Sequence, residues 1–251
     1  MAPLISVVMP AYNAERTLKE SVHSVLSQTY ENFELIIVEN GSTDNTKKLL
    51  KTFQDSRIRA FYLSENKGAS YARNYAIRQA AGEWVAFLDS DDLWTREKLE
   101  KQVSFMERND WPLLSFTGSS FIKNNGDSLN YILHVPSTVC YEELLKQNVV
   151  SCSSVIARRD ILLDHPFPEE KVIHEDFAVW LSILKEGSCA MGLDEPLLIY
   201  RLNENGKSSN KAKAALMNWH TYRYIGLSLP KAFSSMVSYT IRGLKKYRHL
   251  K

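Results

Sequence analysis

Short apolar runs alternate with amphipathic stretches along the first hundred residues. The apolar runs are rich in β-branched residues and predict strands at residues 4–9, 33–39, 58–63 and 84–89. Between the first two runs, a helix that buries one face is predicted from the spacing of Leu18, Val22, Val25 and Leu26. Further helices are predicted at residues 45–53, 69–81 and 95–108. This alternation indicates an α/β fold with a mostly parallel, doubly wound sheet.

The rest of the chain alternates less regularly. The pattern predicts strands at residues 113–122, 153–157 and 197–200, and a helix at 141–147. Another helix is predicted to begin near Asp176 and to stop at Gly187, and beyond residue 205 the pattern is helical and basic. We therefore expect an α/β domain at residues 1–205 and a basic helical C-terminal extension at residues 206–251.

Polar segments follow the four predicted N-terminal strands. They are residues 10–13, 39–44, 65–68 and 89–92. In an open parallel sheet, ligands bind outside the carboxyl ends of the strands, so these segments are expected to share one rim. Loops are commonly polar without any function. However, residues 89–92, which we call the acidic segment, place three carboxylates in four positions, and their mutual repulsion favours a bound cation.

The acidic segment reads Asp89-Ser90-Asp91-Asp92. Mg²⁺ or Mn²⁺ prefers oxygen ligands and is commonly held by one or two carboxylates together with substrate phosphates. Asp91 is the candidate metal ligand in this segment. The alternative is that Asp91 and Asp92 only stabilise the N-terminus of the following helix through its dipole.

Two further groups carry candidate chemistry. The segment His174-Glu175-Asp176 precedes a predicted helix, where a carboxylate could act as a general base or could only cap the helix. Arg73 falls about one turn into the third predicted helix, where it could reach a diphosphate or could only form a surface pair. Neither a G-x-G-x-x-G fingerprint nor a G-x-x-x-x-G-K-[ST] loop occurs, which argues against a dinucleotide-binding dehydrogenase and a glycine-rich phosphate cradle.

These segments together form a recognisable series. In chain order they are Ser6–Asn13, 28–35, 41–44, 66–68 with Ala72-Arg73-Asn74, 88–92, and Glu175-Asp176 with Trp180-Leu181. The chain thereby resembles the inverting glycosyltransferases of family 2, which have the GT-A fold and serve in bacterial surface-polysaccharide synthesis. The resemblance covers roughly residues 4–201.

The resemblance implies a role for each matching position. The nucleotide-sugar would be bound by Pro10, Ala11, Tyr12, Asn13, Glu39, Asn66, Arg73, Asp89 and Ser90. Asp91 would hold Mn²⁺ or Mg²⁺ at the diphosphate, Asp176 would be the catalytic base, and Glu175 an accessory acid. The implied reaction moves a hexosyl or N-acetylhexosaminyl unit from a UDP-sugar to a hydroxyl of a glycan or lipid-linked glycan, with inversion.

Three positions depart from the family's pattern. Glu39-Asn40 stands where two aspartates are usual, Tyr75 stands where a glycine follows Arg-Asn, and Asn203 lies near a usual histidine. The first departure bears on which base is bound, and the third on how the metal is held. A non-catalytic nucleotide-sugar-binding subunit remains an alternative, as does a sugar nucleotidyltransferase, although the latter class usually has a glycine- and arginine-rich loop after the first strand.

The charge is distributed unevenly. No Asp or Glu follows Glu204, whereas 10 of the 31 Lys and Arg residues do. The first 204 residues keep 21 basic against 29 acidic residues, a formal charge of −8. Near the C-terminus, one helical face is predicted from Phe233, Met236, Val237, Thr240, Ile241 and Leu244, followed by Lys245, Lys246, Arg248 and Lys251.

A basic amphipathic helix is typical of an anionic membrane surface, and equally of a helix packed on its own domain. No nucleic-acid-binding module accompanies the charge, so nucleic acid is not expected as a partner. No apolar run reaches the length that spans a bilayer. We expect a cytoplasmic protein that can lie at the inner face of the cell membrane. Accordingly, Cys140, Cys152 and Cys189 are expected to be free thiols.

Overall fold

The computed structural model describes residues 2–202 and 211–246. The strands are β1 (Ile5–Ala11), β2 (Phe33–Asn40), β3 (Ile58–Leu63), β4 (Trp84–Phe87), β5 (Leu93–Trp94), β6 (Leu114–Lys123), β7 (Ser128–Leu133), β8 (Thr138–Cys140), β9 (Ile156–Arg158) and β10 (Cys189–Leu202). The helices are α1 (Leu18–Leu26), α2 (Thr46–Leu50), α3 (Ala69–Gln79), α4 (Lys98–Arg108), α5 (Tyr141–Lys146), α6 (Arg159–Asp164), α7 (Glu175–Leu184), α8 (Lys211–Tyr224) and α9 (Leu229–Lys246), with a 3-10 turn at Cys152–Ser154.

The strands form one sheet in the order β3-β2-β1-β4-β9-β6-β10-β5, with β7 added to β6 and β8 added to β10. The pairs β3–β2, β2–β1, β1–β4 and β6–β10 are parallel, whereas β9 is antiparallel to both β4 and β6. The carboxyl ends of β1 to β4, β6 and β10 therefore point to the same edge. This arrangement confirms the predicted α/β fold with a mostly parallel sheet.

Alternating side chains of the buried strands pack into two hydrophobic cores, one on each face of the sheet. In β1, Val8 belongs to the core that packs against α3 and α7, while Val7 and Met9 belong to the core that packs against α1 and α4. Both faces are covered by helices, which is why β1 and β2 read as nearly continuous apolar runs.

Several predicted elements need correction. The strand predicted at residues 153–157 is wrong in its first half, because residues Cys152–Ser154 form a 3-10 turn and only Ile156–Arg158 pair in the sheet. The strand predicted at residues 197–200 is part of β10, which begins at Cys189 and has register shifts around Pro196. The short elements β5, β7, β8 and α6 were not predicted. Strands β5 and β8 both pair with the distant β10, whereas β7 forms a hairpin with β6.

The expectation that all three cysteines are free thiols is also wrong. Cys140 and Cys189 form a disulfide, and only Cys152 is a free, buried thiol among the described residues. The two bonded residues are 49 positions apart, but the antiparallel pairing of β8 with β10 places them opposite each other. Their spacing in the sequence carries no sign of that pairing.

The two C-terminal helices pack on the same core as the sheet. Tyr222 of α8 is fully buried, its ring lies 5.9 Å from that of Phe177, and its hydroxyl donates to the carbonyl of Leu145 at 2.6 Å. In α9, Ala232 is buried, and Met236, which the sequence placed on the apolar face of this helix, packs against the core. The boundary expected at residue 205, Asn203, and the side chains of Leu244, Lys245, Lys246, Arg248 and Lys251 lie outside what the structure describes.

Within residues 2–202 and 211–246, no helix combines the length and the hydrophobicity that crossing a bilayer requires.

Candidate active site

The acidic segment follows β4 at the carboxyl edge of the sheet and is held from two sides. The hydroxyl groups of Thr17 and Ser21 donate to the carbonyl oxygen of Ser90, at 2.8 and 2.9 Å. On the other side, the backbone N–H of Asp89 donates to the hydroxyl oxygen of Ser153 at 3.1 Å. The backbone of the segment is thereby anchored to the start of α1 and to the 3-10 turn at Cys152–Ser154.

Arg73 connects the acidic segment to the carboxylates at the start of α7. Its guanidinium donates to Asp89 Oδ1 at 2.6 Å and to Glu175 Oε1 at 3.5 Å. The side chain is buried, and its guanidinium carbon lies 5.4 Å from the centre of the Phe167 ring. Burial alone would lower the pKa of Arg73, but the neighbouring Asp89 carboxylate and other negative groups outweigh it, so the pKa is raised and the cation persists. Arg73 therefore links one carboxylate of the acidic segment to one carboxylate at the start of α7.

The start of α7 supplies the second pair of carboxylates. Asp176 Oδ1 accepts the backbone N–H of Phe177 at 2.7 Å, which is a local contact at the helix N-terminus. Burial raises the pKa of Asp176, and the adjacent Glu175 carboxylate raises it further. The backbone N–H of His174 donates to Thr221 Oγ1 at 3.0 Å, so α8 holds the chain just before these acids. Asp176 thus accepts a backbone N–H in the first turn of α7 and has a raised proton affinity.

Burial and the crowding of carboxylates raise the proton affinity of the acidic segment. Burial raises the pKa of Asp91 to about 6, with a further contribution from the Asp89 carboxylate. The pKa of the fully buried Asp92 is raised by burial and then by Asp91 and Asp89. A positive charge placed beside Asp91 would relieve this repulsion.

The loop after β1 forms the other end of the rim. Pro10 and Ala11 end β1, and Tyr12 is exposed beside them. Asn13 has a positive φ of 49°, a region that Asn tolerates better than most residues, and its Oδ1 accepts the backbone N–H of Thr43 at 2.9 Å. The loops after β1 and β2 are thus held together by a hydrogen bond, and the exposed Tyr12 lies in the first of them, next to Asn13.

The loop after β2 is organised by two buried side chains. Glu39 Oε1 accepts the backbone N–H of Ser42 at 2.6 Å, so this carboxylate shapes the turn. Asn40 accepts the backbone N–H of Lys67 at 3.0 Å and donates to the side-chain oxygen of Asn66 at 3.1 Å. At Gly41, with a φ of 67°, an added Cβ would lie 2.4 Å from the backbone of Glu65. Glu39 and Asn66 therefore lie at the predicted nucleotide end, where both support the loop.

Two residues at the site were missed by the sequence reasoning. Arg201, at the end of β10, donates from Nε to the carbonyl of Asp91 at 2.9 Å and from its backbone N–H to Asp92 Oδ1 at 2.9 Å. Its guanidinium also pairs with Glu20 at 2.6 Å. Cys152 is buried next to Arg73, and burial raises the pKa of its thiol. No local sequence signal marks Arg201, because its partners are about 110 positions away.

The donor set fits a hard divalent cation only in part. Asp89 is paired with Arg73, and Asp92 is buried beneath the backbone of Arg201, which leaves the half-buried Asp91 as the carboxylate available to a cation. Within the described residues, no group of three or more His, Cys, Asp or Glu side chains is placed to hold a metal by itself. A cation here would therefore need oxygen ligands from a bound substrate, as Mg²⁺ sites with phosphates commonly do.

The sequence also matches known proteins. Residues 6–159 match the sequence profile of the family described as Glycosyl transferase family 2. TuaG of Bacillus subtilis (strain 168), whose name assigns it to teichuronic acid biosynthesis, is 42% identical over 247 residues, covering 97% of each chain. WfgD of Escherichia coli, named as a UDP-Glc:alpha-D-GlcNAc-diphosphoundecaprenol beta-1,3-glucosyltransferase, is 37% identical over 246 residues, covering 97% of this chain and 95% of WfgD. These matches confirm the resemblance that the motifs indicated.

Solved structures share the fold. Staphylococcus aureus TarS in complex with UDP-GlcNAc superposes with a TM-score of 0.76 and 22% identity, covering 96% of this chain and 72% of the other. The mannosyltransferase PcManGT from Pyrobaculum calidifontis, in complex with GDP-Man and Mn²⁺, gives a TM-score of 0.69 and 20% identity, covering 98% of this chain and 70% of the other. The GT-A fold expected from the sequence is confirmed.

Proposed function

This chain belongs to glycosyl transferase family 2 and is a glycosyltransferase, and we propose that it moves a hexosyl or N-acetylhexosaminyl unit from a UDP-sugar to a lipid-linked glycan. The observation that carries the proposal is the Arg73 bridge between Asp89 and Glu175. Because this one buried cation touches both groups, a sugar leaving a nucleotide at the acidic segment lies beside the acids of α7. The transfer would serve surface-polysaccharide synthesis; the relative TuaG is named for teichuronic acid biosynthesis.

The donor would lie across the carboxyl edge of the sheet. Pro10, Ala11, Tyr12 and Asn13 would line the nucleobase end with Glu39 behind them, and Asn66 would border it from the next loop. Asp89 and Ser90 would face the ribose, with Arg73 near the diphosphate or sugar. Uracil is the proposed base because two kinds of support agree: WfgD is named for a UDP-sugar, and TarS was solved with one.

Asp91 is the proposed ligand of a divalent cation, Mn²⁺ or Mg²⁺. Such an ion, when bound with the donor, would offset the charge that develops on the departing diphosphate. The crowding that raises the pKa of Asp91 to about 6 supports this assignment, because a cation stabilises the ionised carboxylate.

Asp176 is the proposed general base. The acceptor oxygen attacks the anomeric carbon as the bond from that carbon to the diphosphate oxygen breaks, and the acceptor proton passes to the Asp176 carboxylate. The nucleotide diphosphate leaves with the bonding electrons, and attack from the opposite face inverts the configuration. Burial raises the proton affinity of Asp176, which suits a base. Glu175, held by Arg73, would position the acceptor hydroxyl.

The acceptor class is proposed from the relatives. WfgD is named for a diphosphoundecaprenol-linked sugar, and this chain aligns with it over nearly its full length. Such an acceptor is anchored in a membrane, so we also propose that the protein works at the inner face of the cell membrane, in contact with it through the basic C-terminal extension (residues 206–251).

Replacing Asp176 tests the proposed chemistry. Transfer from UDP-sugars to a short-chain, water-soluble GlcNAc-diphosphate lipid should fall about 10²- to 10⁴-fold in Asp176→Asn, since general base catalysis contributes on that scale. Asp160→Asn is the matched control, because Asp160 is exposed and pairs with Arg158 on another part of the surface. Equal rates in the native protein and Asp176→Asn would remove Asp176 from its role.

The donor is identified by a separate measurement. A panel of UDP-, GDP- and dTDP-sugars, each with and without Mn²⁺, should raise the melting temperature selectively for UDP-sugars, because ligands that bind only the folded state stabilise it. A larger shift with a GDP-sugar would overturn the choice of uracil.

A further inference from the structure

Trp94, two residues after the acidic segment, is buried and is held from three sides. Its indole Nε1–H donates to the carbonyl oxygen of Ser153 at 2.7 Å, and its backbone N–H donates to Ser24 Oγ of α1 at 3.2 Å. The side chain of Lys98, the first residue of α4, covers one face of the ring, with Nζ 3.9 Å from the ring centre. These contacts to the backbone, the edge and the face of Trp94 fix the direction in which its indole N–H points.

The indole is bonded to the 3-10 turn at Cys152–Ser154, and this turn is bonded to the acidic segment. Ser153 is buried, and its Oγ accepts the backbone N–H of Asp89 at 3.1 Å. One residue therefore receives the Trp94 N–H at its carbonyl oxygen and the Asp89 N–H at its hydroxyl oxygen. Any movement of the turn away from the indole would also move the hydroxyl that holds Asp89.

We propose that Trp94 is a positioning residue for the sugar donor: its indole N–H holds the 3-10 turn in the place from which Ser153 fixes Asp89. A buried carbonyl that loses its donor is costly, so the turn would shift if the indole N–H were removed. Binding sites depend on such supporting hydrogen bonds, because their own residues must stay within a fraction of an ångström of the productive geometry. The effect on the donor rests on the proposed function, whereas the link from Trp94 to Asp89 does not.

Two substitutions interrupt this path at different points. Trp94→Phe removes the indole N–H but keeps an aromatic ring and the backbone pairing with Leu198 of β10. Ser153→Ala removes only the hydroxyl that accepts the Asp89 N–H. Trp84→Phe is the matched control, because Trp84 and Trp94 are both 3% exposed but Trp84 begins β4, at the opposite end of the strand from the acidic segment. A loss of buried ring area alone should therefore affect the control equally.

Hydrogen exchange at the Asp89 amide, followed by NMR in the full chain, tests the structural link. Relative to the amides of β1, the Asp89 amide should exchange about tenfold faster in Trp94→Phe than in native protein, because its acceptor is displaced. Ser153→Ala should have the same effect, since it removes that acceptor. Trp84→Phe should leave this ratio unchanged even where it lowers the melting temperature. Equal ratios in Trp94→Phe and Trp84→Phe would overturn the proposal, whatever donor the protein uses.

Steady-state kinetics test the consequence for the donor. Trp94→Phe should raise the KM for the UDP-sugar about fivefold or more and leave the KM for the water-soluble acceptor close to native, because the acidic segment and not α7 is displaced. The effects of Trp94→Phe and Ser153→Ala should not multiply in the double variant, since both act on Asp89 through one residue.

The two measurements separate this proposal from the proposed function. An equal rise in both KM values, or effects that multiply in the double variant, would overturn the positioning role while the transferase activity stands. A native protein that transfers no sugar from UDP-sugars would contradict the proposed function, and the exchange of the Asp89 amide would still decide whether Trp94 holds the acidic segment.

Discussion

Arg73 stands between carboxylates that the proposed reaction uses for different substrates. It holds Asp89 at 2.6 Å and reaches Glu175 at 3.5 Å while almost fully buried. Removing one partner of a buried charge pair is costly, because the remaining charges stay desolvated and uncompensated. A planar guanidinium can reach both carboxylates at once, which the point charge of lysine on a flexible stem does less well. Stability and reactivity at this residue are therefore linked.

Two substitutions at Arg73 separate these effects. Arg73→Ala should lower the free energy of unfolding by roughly 3–5 kcal/mol, the range for breaking a buried ion pair. Arg73→Lys should keep more of that stability but lose most of the transfer rate. Urea denaturation and steady-state kinetics measure the two quantities. Arg78→Ala, on the exposed side of α3, is the control and should change neither. Native kinetics in Arg73→Lys would contradict the proposed need for a planar guanidinium that reaches both carboxylates at once.

Asp91 is expected to destabilise the protein when no cation is bound. Its pKa is raised from 3.8 to about 6, so the folded state binds more protons than the unfolded state between these values. The free energy of unfolding therefore falls as pH rises through that window, and the whole of this loss of stability is present above pH 6. Asp91→Asn removes the cost, and at pH 7 without divalent ions we expect a melting temperature about 2–4 °C higher per kcal/mol relieved.

The same variant tests cation binding. In the presence of UDP, adding Mn²⁺ should raise the melting temperature of native protein at pH 7 and raise it less at pH 5, where protons compete for Asp91. In Asp91→Asn, adding Mn²⁺ to UDP should give no further rise. Asp164→Asn, at an exposed carboxylate, should behave as native protein does. A variant Asp91→Asn that melts below native protein without metal would contradict the assignment of repulsion to this residue.

At the scale of elements, α3 positions the site through Asn74 as well as Arg73. The Asn74 amide donates to the carbonyl of Phe167 at 2.7 Å and accepts its backbone N–H at 2.8 Å. These two bonds hold the loop that carries the Phe167 ring against Arg73 and leads into α7. Helix α3 therefore positions both the Arg73 guanidinium and the Phe167 ring that it contacts.

Replacing Asn74 should release that loop. Asn74→Ala leaves a buried N–H and a buried carbonyl unpaired, at a cost of about 1–3 kcal/mol each. Asn74→Asp preserves the shape but sets a carboxylate against the Phe167 carbonyl, so we expect it to be at least as damaging. Chemical denaturation and transfer rates measure the loss, with Asn109→Ala at an exposed helix end as the control. Native stability in Asn74→Ala would show that the loop is held by other contacts.

The elements that sequence predicts well are those whose pattern is local. The β-branched runs of β1 and β2 and the stripe of α1 depend on nearby residues, and the acidic segment is recognisable because it directly follows β4. What the sequence could not predict depends on distant pairing. β8 exists only because it pairs with β10, and that pairing also creates the Cys140–Cys189 bond. The place of Arg201 in the site likewise depends on its hydrogen bonds to Asp91 and Asp92, which no local sequence pattern connects to it.

The amphipathic face predicted for the C-terminus illustrates the same limit. Periodicity placed Phe233, Met236 and Val237 on one face, but in the structure Met236 packs against the core while the other two are exposed. Periodicity shows that a helix has an apolar side without showing which part of that side meets the protein. Only the contacts of Ala232 and Tyr239 decide that.

For the whole molecule, the C-terminal helices complete the fold of the sheet-bearing part. Tyr222 fills a buried position against Phe177, and Thr221 accepts the backbone N–H of His174, just before Asp176. His174 also contacts the carbonyl of Ala214 at 3.3 Å through its ring. The helix that presents the proposed base is therefore supported from behind by α8.

Deleting residues 206–251 should consequently damage the catalytic site as well as any membrane contact. The deletion exposes Phe177 and removes the contacts that hold His174, so we expect a large fall in melting temperature and loss of transfer even with a water-soluble acceptor. Deleting only residues 247–251 is the control and should leave both unchanged. Activity with the soluble acceptor distinguishes two roles of the extension, because a purely membrane-binding segment could be removed without affecting it. A stable, active fragment ending at residue 205 would show that the sheet-bearing part folds and catalyses alone, and that α8 contributes little to the position of Asp176.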